Sequence, residues 1–257
     1  MSSLLQTYDA QLRAEGELPG ATHIERLGPL LWGTFAAGRV LITYASLDGV
    51  DLAALVATAG ERFAADPDLT RLEWKTRGHD HAPGLHELLV AAGFVPGETE
   101  SVMIGSAETL AVDLPLPDGV SIRRISEPDD VRAMAAMSER AFGEASPGSA
   151  EELLTRLANR RDDLELWVAE HEGTMISAGR LEPVAGADFA GIWGGCTLPQ
   201  WRGRGIYRAL TAERARSALA RGKTLVHSDS TEYSRPILER YGFTKITTTT
   251  PYELSRP

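Results

Sequence analysis

The run Leu198-Pro199-Gln200-Trp201-Arg202-Gly203-Arg204-Gly205-Ile206-Tyr207-Arg208-Ala209-Leu210 sets two glycines and two arginines between a strand-like segment and a helix-like one. Phe189 to Leu198 before it reads as a strand, and Ile206 to Arg221 after it carries Ile206, Leu210, Ala215 and Leu219 at helical spacing. The glycines therefore stand at a helix N-terminus, where the first backbone N–H groups lack intrahelical partners and the helix dipole is positive. Gly203 and Gly205 let an anion approach the main chain, and Arg202 and Arg204 can add charge-assisted hydrogen bonds. A pyrophosphate suits that chemistry.

The P-loop pattern Gly-x-x-x-x-Gly-Lys-Ser/Thr is absent, and so is the dinucleotide fingerprint Gly-x-Gly-x-x-Gly opening a parallel βαβ unit. The run resembles instead the acyl-CoA loop of the GNAT superfamily of N-acyltransferases, Arg/Gln-x-x-Gly-x-Gly/Ala introduced by a hydrophobic-x-Pro step. Arg202-x-x-Gly205-x-Tyr207 after Thr197-Leu198-Pro199 is the preferred register, with Tyr207 replacing the small last residue; Gln200-x-x-Gly203-x-Gly205 also satisfies the pattern. A second stretch is similar to the same family. Thr224 to Ser228 reads as a strand and Ser234 to Phe243 as a short helix, with Ser234 as N-cap, Pro236 in the first turn and Gly242 as the left-handed stop.

The resemblance implies an α+β fold, a mixed and mostly antiparallel sheet splayed between two central parallel strands. It implies an acetyl-CoA-dependent N-acetyltransferase in which an amine attacks the thioester directly. Coenzyme A would then lie on Cys196, Thr197, Leu198, Arg202, Gly203, Arg204, Gly205, Ile206, Tyr207 and Ser234, with strand N–H groups pairing the pantetheine and holding the oxyanion. Many members protonate the departing thiolate with a tyrosine four residues before the Gly-Phe glycine. Leu238 occupies that position here, which leaves Tyr241, Tyr233 and Tyr207 as substitutes, or no side-chain acid at all. For the base, the candidates are Glu182, late in a strand, and the group His227, Asp229 and Glu232, of which His227 titrates in the useful range. A relaying water chain would replace all of them. The expected acceptor is a primary amine of a small molecule; a protein amine, or a non-catalytic CoA-sensing role, are the alternatives.

Composition bounds these readings. The chain has 257 residues, 43% hydrophobic and 24% charged, with a net charge of -10. That length suits two domains, and the acidic balance argues against nucleic acid as a partner. Cys196 is the single cysteine, so no intramolecular disulfide can form; it reads as a small buried residue rather than a nucleophile. With no basic and apolar leader and no run of 18 apolar residues, neither secretion nor a membrane span is expected, and the expected location is cytoplasmic, as monomer or homodimer. His79, Asp80, His81 and His86 read as loop residues, and no metal is expected.

The elements that must position this chemistry begin at residue 119. Gly119 to Ser126 reads as a strand, Glu127 opens a helix to Phe142, Ser149 to Arg160 gives another, and strands follow at Glu165 to Glu170 and Thr174 to Pro183. Thr244 to Thr249 and Thr250 to Leu254 close the chain as strands. The first half echoes this order: strands at Thr22 to Leu27, Leu30 to Phe35 and Arg39 to Leu47, a helix from Val50 to Ala65, a strand at Arg71 to Arg77, and a helix from Pro83 to Ala92 ending in Gly93-Phe94. Where the second copy has its glycine loop, the first has Ser46-Leu47-Asp48-Gly49-Val50, one glycine and an acid, which should not hold CoA. The resemblance therefore extends to a tandem GNAT arrangement. It comprises a degenerate domain at residues 1–112, a proline-bearing linker at Glu108 to Asp118, and a catalytic domain at residues 118–257.

Overall fold

The computed structural model describes residues 3–18, 20–143, 150–159 and 164–256. The first half runs α1 (Ser3–Gln11), a 3-10 turn (Ala14–Glu17), β1 (His23–Leu27), β2 (Leu30–Thr34), β3 (Arg39–Tyr44), α2 (Leu52–Ala65), β4 (Arg71–Arg77), α3 (Leu85–Ala91), β5 (Val95–Pro96) and β6 (Glu100–Ser106). The second continues with α4 (Ala107–Leu110), β7 (Val120–Ile125), α5 (Pro128–Phe142), α6 (Ala150–Asn159), β8 (Glu165–His171), β9 (Thr174–Pro183), β10 (Phe189–Thr197), α7 (Ile206–Ala220), β11 (Leu225–Ser230), α8 (Arg235–Tyr241) and β12 (Thr244–Ser255). Two compact units emerge: residues 1–103 with 229–236 and 245–257, and residues 104–228 with 237–244.

In the first unit the strand order is β1-β2-β3-β4-β12, with β3 and β4 parallel and the other neighbours antiparallel. α2 buries Leu55, Val56, Ala59 and Phe63 in the same core as Trp32, Ile42, Leu72 and Trp74. β12 pairs with β4 from Thr249↔Arg77 to Ser255↔Arg71, which brings the chain's last strand into this unit. The units are thus discontinuous in sequence and coincide with neither residues 1–112 nor residues 118–257. Thr244 to Ser255 forms one strand rather than two, because the threonine run favours extended backbone and Pro251 needs no donor. Its carbonyl accepts from the Gly97 N–H at 2.8 Å.

The second unit orders β7-β8-β9-β10-β11, antiparallel except for β10 beside β11. Val131, Met134 and Met137 of α5 share a core with Leu166, Val168, Ile176 and Ala178. The mixed sheet with a central parallel pair matches the expectation. The helix expected at Ser149 to Arg160 is found as Ala150–Asn159, its two end residues lying outside the described residues. α1, β5, β6 and α4 had no sequence expectation. α1 buries only Leu5 and Tyr8, too little for a legible stripe, and β6 is a short apolar run, Val102-Met103-Ile104, whose complete burial hides any period. Among the described residues no helix is long and apolar enough to cross a membrane.

Candidate active site

β10 and β11 share three rungs, Phe189↔Leu225, Ala190↔Val226 and Gly191↔His227. Beyond Gly191 the register of β10 against β9 shifts between Trp193 and Cys196, and Gly194 turns left-handed at φ 59°. Such a bulge bends a strand and strengthens its twist, which carries β10 away from β11. The bulge also decides which backbone groups are free. Leu198 N–H donates to Ile176 O at 2.9 Å, so by the two-residue alternation of an antiparallel pair Cys196 and Leu198 face β9 while Thr197 N–H and C=O face the other way. Of the three strand residues expected to pair pantetheine, the main chain of Thr197 is the one turned toward the opening.

α7 starts where the strand's connection ends. Gly203 and Gly205 hold φ of 74° and 79°, left-handed values that favour glycine, and a Cβ on either would meet nothing within 4 Å. Gly205 caps α7 without any side-chain hydrogen bond, and the first intrahelical bond is Ala209 N–H to Gly205 O at 3.0 Å. The N–H groups of Ile206, Tyr207 and Arg208 thus precede the helical ladder at the positive end of a 15-residue helix.

The two arginines divide their labour differently from expectation. Arg202 Nε donates to Thr197 O and its Nη2 to Ala141 O, both at 3.0 Å. That guanidinium ties the loop to β10 and to the C-terminal turn of α5, where carbonyls attract a cation. It braces the loop from within the protein. Arg204 is exposed and lies 4.9 Å over the Trp201 ring.

The titratable candidates are dispersed. His227 sits at the last parallel rung, its ring edge-on to Phe189 and Trp193 at 5.8 and 5.3 Å. Glu182 is ion-paired to Arg156 at 2.5 Å and to Arg180 at 3.4 Å, which engages the lone pairs a base would use. Asp229 belongs with the first unit, where it pairs with Lys75 at 2.7 Å. Burial works to lower the Lys75 ammonium, and the Asp229 charge, Tyr8, the Asp229 hydrogen bond and Glu73 together outweigh it, holding Lys75 above its ordinary range. Glu232 pairs with Arg235 at 2.9 Å, and Ser234 hydrogen-bonds Thr231, all likewise in the first unit. Cys196 is buried and its thiol is pushed up by that burial, as a core residue's would be.

Leu238, at the family's tyrosine position, is 1% exposed in the core. Tyr233 is 87% exposed and belongs with the first unit. Tyr207 and Tyr241 face each other with ring centroids 6.2 Å apart, and Arg208 lies 5.5 Å over the Tyr241 ring. Burial, then the Tyr207 charge, pushes the Tyr241 phenol up. Sequence reasoning missed Arg214, which is fully buried two turns along α7 from Tyr207 and lies 5.9 Å over that ring. It also missed Glu100 on β6, whose carboxyl is raised by burial and then by the Asp229 charge. The histidine-rich loop is accounted for by polar partners: His79 meets Asp9 and Thr247 at 3.0 and 2.8 Å, and His86 meets the Tyr252 hydroxyl at 2.8 Å.

Residues 131–243 match the family model described as "Acetyltransferase (GNAT) family". The structure resembles a GCN5-related N-acetyltransferase from Kribbella flavida, at 19% identity and a TM-score of 0.72 over 98% of this chain and 96% of that one. It also resembles one from Sphaerobacter thermophilus, at 21% identity and 0.62 over 89% and 78%. A tandem GNAT protein from the clavulanic acid biosynthesis pathway gives 18% and 0.62 over 89% and 79%. These likenesses show a shared fold over 89–98% of the chain. A search of curated proteins finds no match.

Proposed function

We propose that the chain is an acyltransferase of the GNAT family, as the match of its residues 131–243 to that family's model supports, and that it moves an acetyl group from acetyl-CoA to a primary amine of a small molecule. The observation that carries the proposal is the uncapped start of α7 behind two left-handed glycines, beside a strand that has parted from its parallel neighbour. The diphosphate of CoA would accept from the N–H groups of Gly203, Arg204, Gly205, Ile206 and Tyr207, with Arg204 adding charge and Arg202 holding the loop in shape. The pantetheine would run along the freed edge of β10, pairing with Thr197 beside Cys196 and Leu198.

Transfer proceeds by direct attack. The amine nitrogen adds to the thioester carbon, a β10 N–H holds the oxyanion, and the C–S bond breaks. His227 is the preferred base, because its place at the last rung puts it where β10 and β11 stop pairing. Tyr241 and Tyr207 are the phenols available to the leaving thiolate.

Calorimetry with acetyl-CoA, followed by a thiol-release assay over a panel of small amines, tests the reading. CoA binding with thiol release dependent on an amine supports it. Binding without transfer to any small amine, but with transfer to peptide amines, would move the acceptor to proteins. Absence of CoA binding would remove the proposal.

A further inference from the structure

One face of the second unit's sheet gathers polar side chains where β10 leaves β11. Residues directly across a ladder point to the same face, so Arg180 and Glu182 of β9 share a face with Trp193 and Gly191 of β10 and with His227 of β11. The Trp193 indole lies back across Gly191, where a Cβ would collide with the ring, and stands edge-on to His227 at 5.3 Å. α7 covers the opposite face, where Gly179 and Gly195 leave room for Arg214 and Tyr207. Arg180, Glu182, Trp193 and His227 are each only partly buried, so solvent reaches this face.

Two arginines flank Glu182, and they are treated differently. Arg156 of α6 donates through Nη2 to Glu182 Oε2 at 2.5 Å. Arg180 meets Glu182 only as an ion pair, Nε to Oε1 at 3.4 Å. That Nε is the one buried side-chain nitrogen or oxygen without a hydrogen-bond partner among the described residues of the second unit. Arg214 shows how the same unit satisfies a structural guanidinium: its Nε, Nη1 and Nη2 donate to Leu210 O, Arg180 O and Thr211 Oγ1, each at 3.2 Å. A buried donor left unmade is costly, so the difference points to a partner that the chain itself does not supply.

Charge says what that partner is. Glu182 is matched by Arg156, and Glu152, one turn earlier on α6, is exposed, where solvent screens it. An unmatched positive charge remains on Arg180. Burial, with Arg156 alongside, outweighs Glu182 and Glu152 and holds the Arg180 guanidinium below its ordinary range. A monoanion would relieve it, and a planar carboxylate matches a guanidinium in shape as well as charge, whereas a phosphate dianion would set surplus charge against Glu182. The guanidinium lies beside the β10 bulge, its Cζ 3.8 Å from where a Cβ of Gly194 would stand. His227 is two strand spacings from Arg180, about 10 Å across the sheet, so one small molecule can meet both.

We propose that Arg180 anchors a carboxylate on the acceptor, so that the amine acetylated by this chain belongs to an amino acid, with Trp193 as the apolar wall between the two ends. The inference deepens the acetyltransferase reading above and rests on it. Arg180 is a specificity-determining residue, since it holds the end of the acceptor that does not react.

The test uses the full chain with acetyl-CoA and a panel that pairs free α- and ω-amino acids with their methyl esters, spermidine being the amine without a carboxylate. In wild type, thiol release should favour the acids over their esters by at least about tenfold in kcat/KM. R180M keeps the stem's bulk and removes the charge. It should lower kcat/KM about 100-fold for the best acid, chiefly through KM, and less than about threefold for its ester, with CoA affinity by calorimetry within about threefold of wild type. R180K should recover about tenfold of the loss. The wild-type comparison of acid with ester stands even if R180M does not fold. Esters used as well as acids by wild type, equal losses for acid and ester in R180M, or CoA affinity falling with the acid would each overturn the assignment and leave the acetyltransferase reading intact. So would a panel in which no acid is turned over, whatever becomes of spermidine. Failure of wild type to bind CoA overturns both.

Discussion

Each unit contains a pair of parallel strands that part after a few rungs, followed by a helix that starts near the parting, and the two are finished in opposite ways. In the first unit β3 and β4 pair from Arg39↔Arg71 to Ile42↔Trp74. Glu17 then bridges them, accepting from Thr43 Oγ1 on β3 and pairing with Arg77 on β4. Arg77 Nε also donates to the Tyr8 hydroxyl at 2.7 Å, and Arg13 pairs with Asp80 at 2.7 Å, so residues 8 to 17 line this opening with their own side chains. The helix beside it, α2, starts at Asp51, whose carboxylate accepts from Ala54 N–H at 3.1 Å. In the second unit the corresponding helix, α7, starts at a glycine with no side-chain cap. One helix start is therefore capped by a carboxylate of its own, and the other begins at a glycine with no side-chain cap. On this contrast we assign CoA to the second unit alone.

The largest effect should come from opening the first. Arg77 has a side chain only 1% exposed, so Glu17→Ala leaves a buried cation without its carboxylate, at a cost of about 3–5 kcal/mol. Denaturant melts should show that loss, while calorimetry should still find one CoA per chain at unchanged affinity. Two CoA molecules per chain would break the contrast, since the first opening would then be a site that Glu17 merely covers.

Next is the conversion of one helix start into the other. Gly205→Asp puts a carboxylate where α7 has none, in imitation of Asp51, and should weaken CoA by about 100-fold or more, about 2.7 kcal/mol. Gly205→Asn has the same backbone demand, which Asn tolerates nearly as well at positive φ, but no charge. Its loss should be about tenfold. Equal losses would mean that the φ of 79°, rather than the open cationic helix end, is what Gly205 supplies.

The two arginines sharpen the same point at smaller scale. Arg202→Met removes the tie between Thr197 O and Ala141 O and should cost about tenfold in CoA affinity at any salt concentration, because the lost contacts are within the protein. Arg204→Met should cost about threefold at low salt and almost nothing at high salt, as befits an exposed charge. Isothermal titrations at two ionic strengths separate them, and matching salt slopes would return Arg202 to the phosphate.

The glycine loop was legible in sequence because it depends on near neighbours: a strand's end, two residues needing positive φ, and a helix's start. The order of elements was legible for the same reason, through apolar periodicity in α2, α5 and α7. What escaped depends on distant partners. Arg202 reads as a phosphate ligand until Ala141, far back in the chain, supplies its acceptor. Glu17 lies in a segment without periodicity, and its meaning comes from Thr43 and Arg77. The i, i+7 spacing of Tyr207 and Arg214 is visible on paper, but Gly179 and Gly195, which leave room for them, are matched to them only by the packing of α7 on β9 and β10. Of the acidic residues near the first helix start, Asp48 stood out beside Gly49, yet Asp51 is the one that caps.

The smallest expected effects concern proton binding, and here the units differ in sign. In the second, Glu165 is 2% exposed and accepts from Trp167 Nε1, Ser217 Oγ and Arg221 Nε at 2.8, 2.7 and 2.7 Å. Burial would raise this carboxyl, but the hydrogen bonds and the Arg221 charge outweigh it and hold Glu165 below the ordinary range. A carboxylate lowered in the folded state contributes stability that is fully present above its unfolded pKa and is lost as pH falls through the folded one. In the first unit Glu100 is raised, by burial and then by Asp229. There the folded chain binds the proton more tightly than the unfolded one, so Glu100 costs stability at neutral pH, and the cost fades as pH falls through the raised value. E165Q should therefore lower the melting temperature at neutral pH by about 2–4 °C and converge on wild type in acid. E100Q should raise it slightly at neutral pH and converge from above. An E100Q variant that melts lower than wild type at neutral pH would mean that the ionised Glu100 is held by a partner, and the opposition between the two units would then not extend to their buried carboxylates.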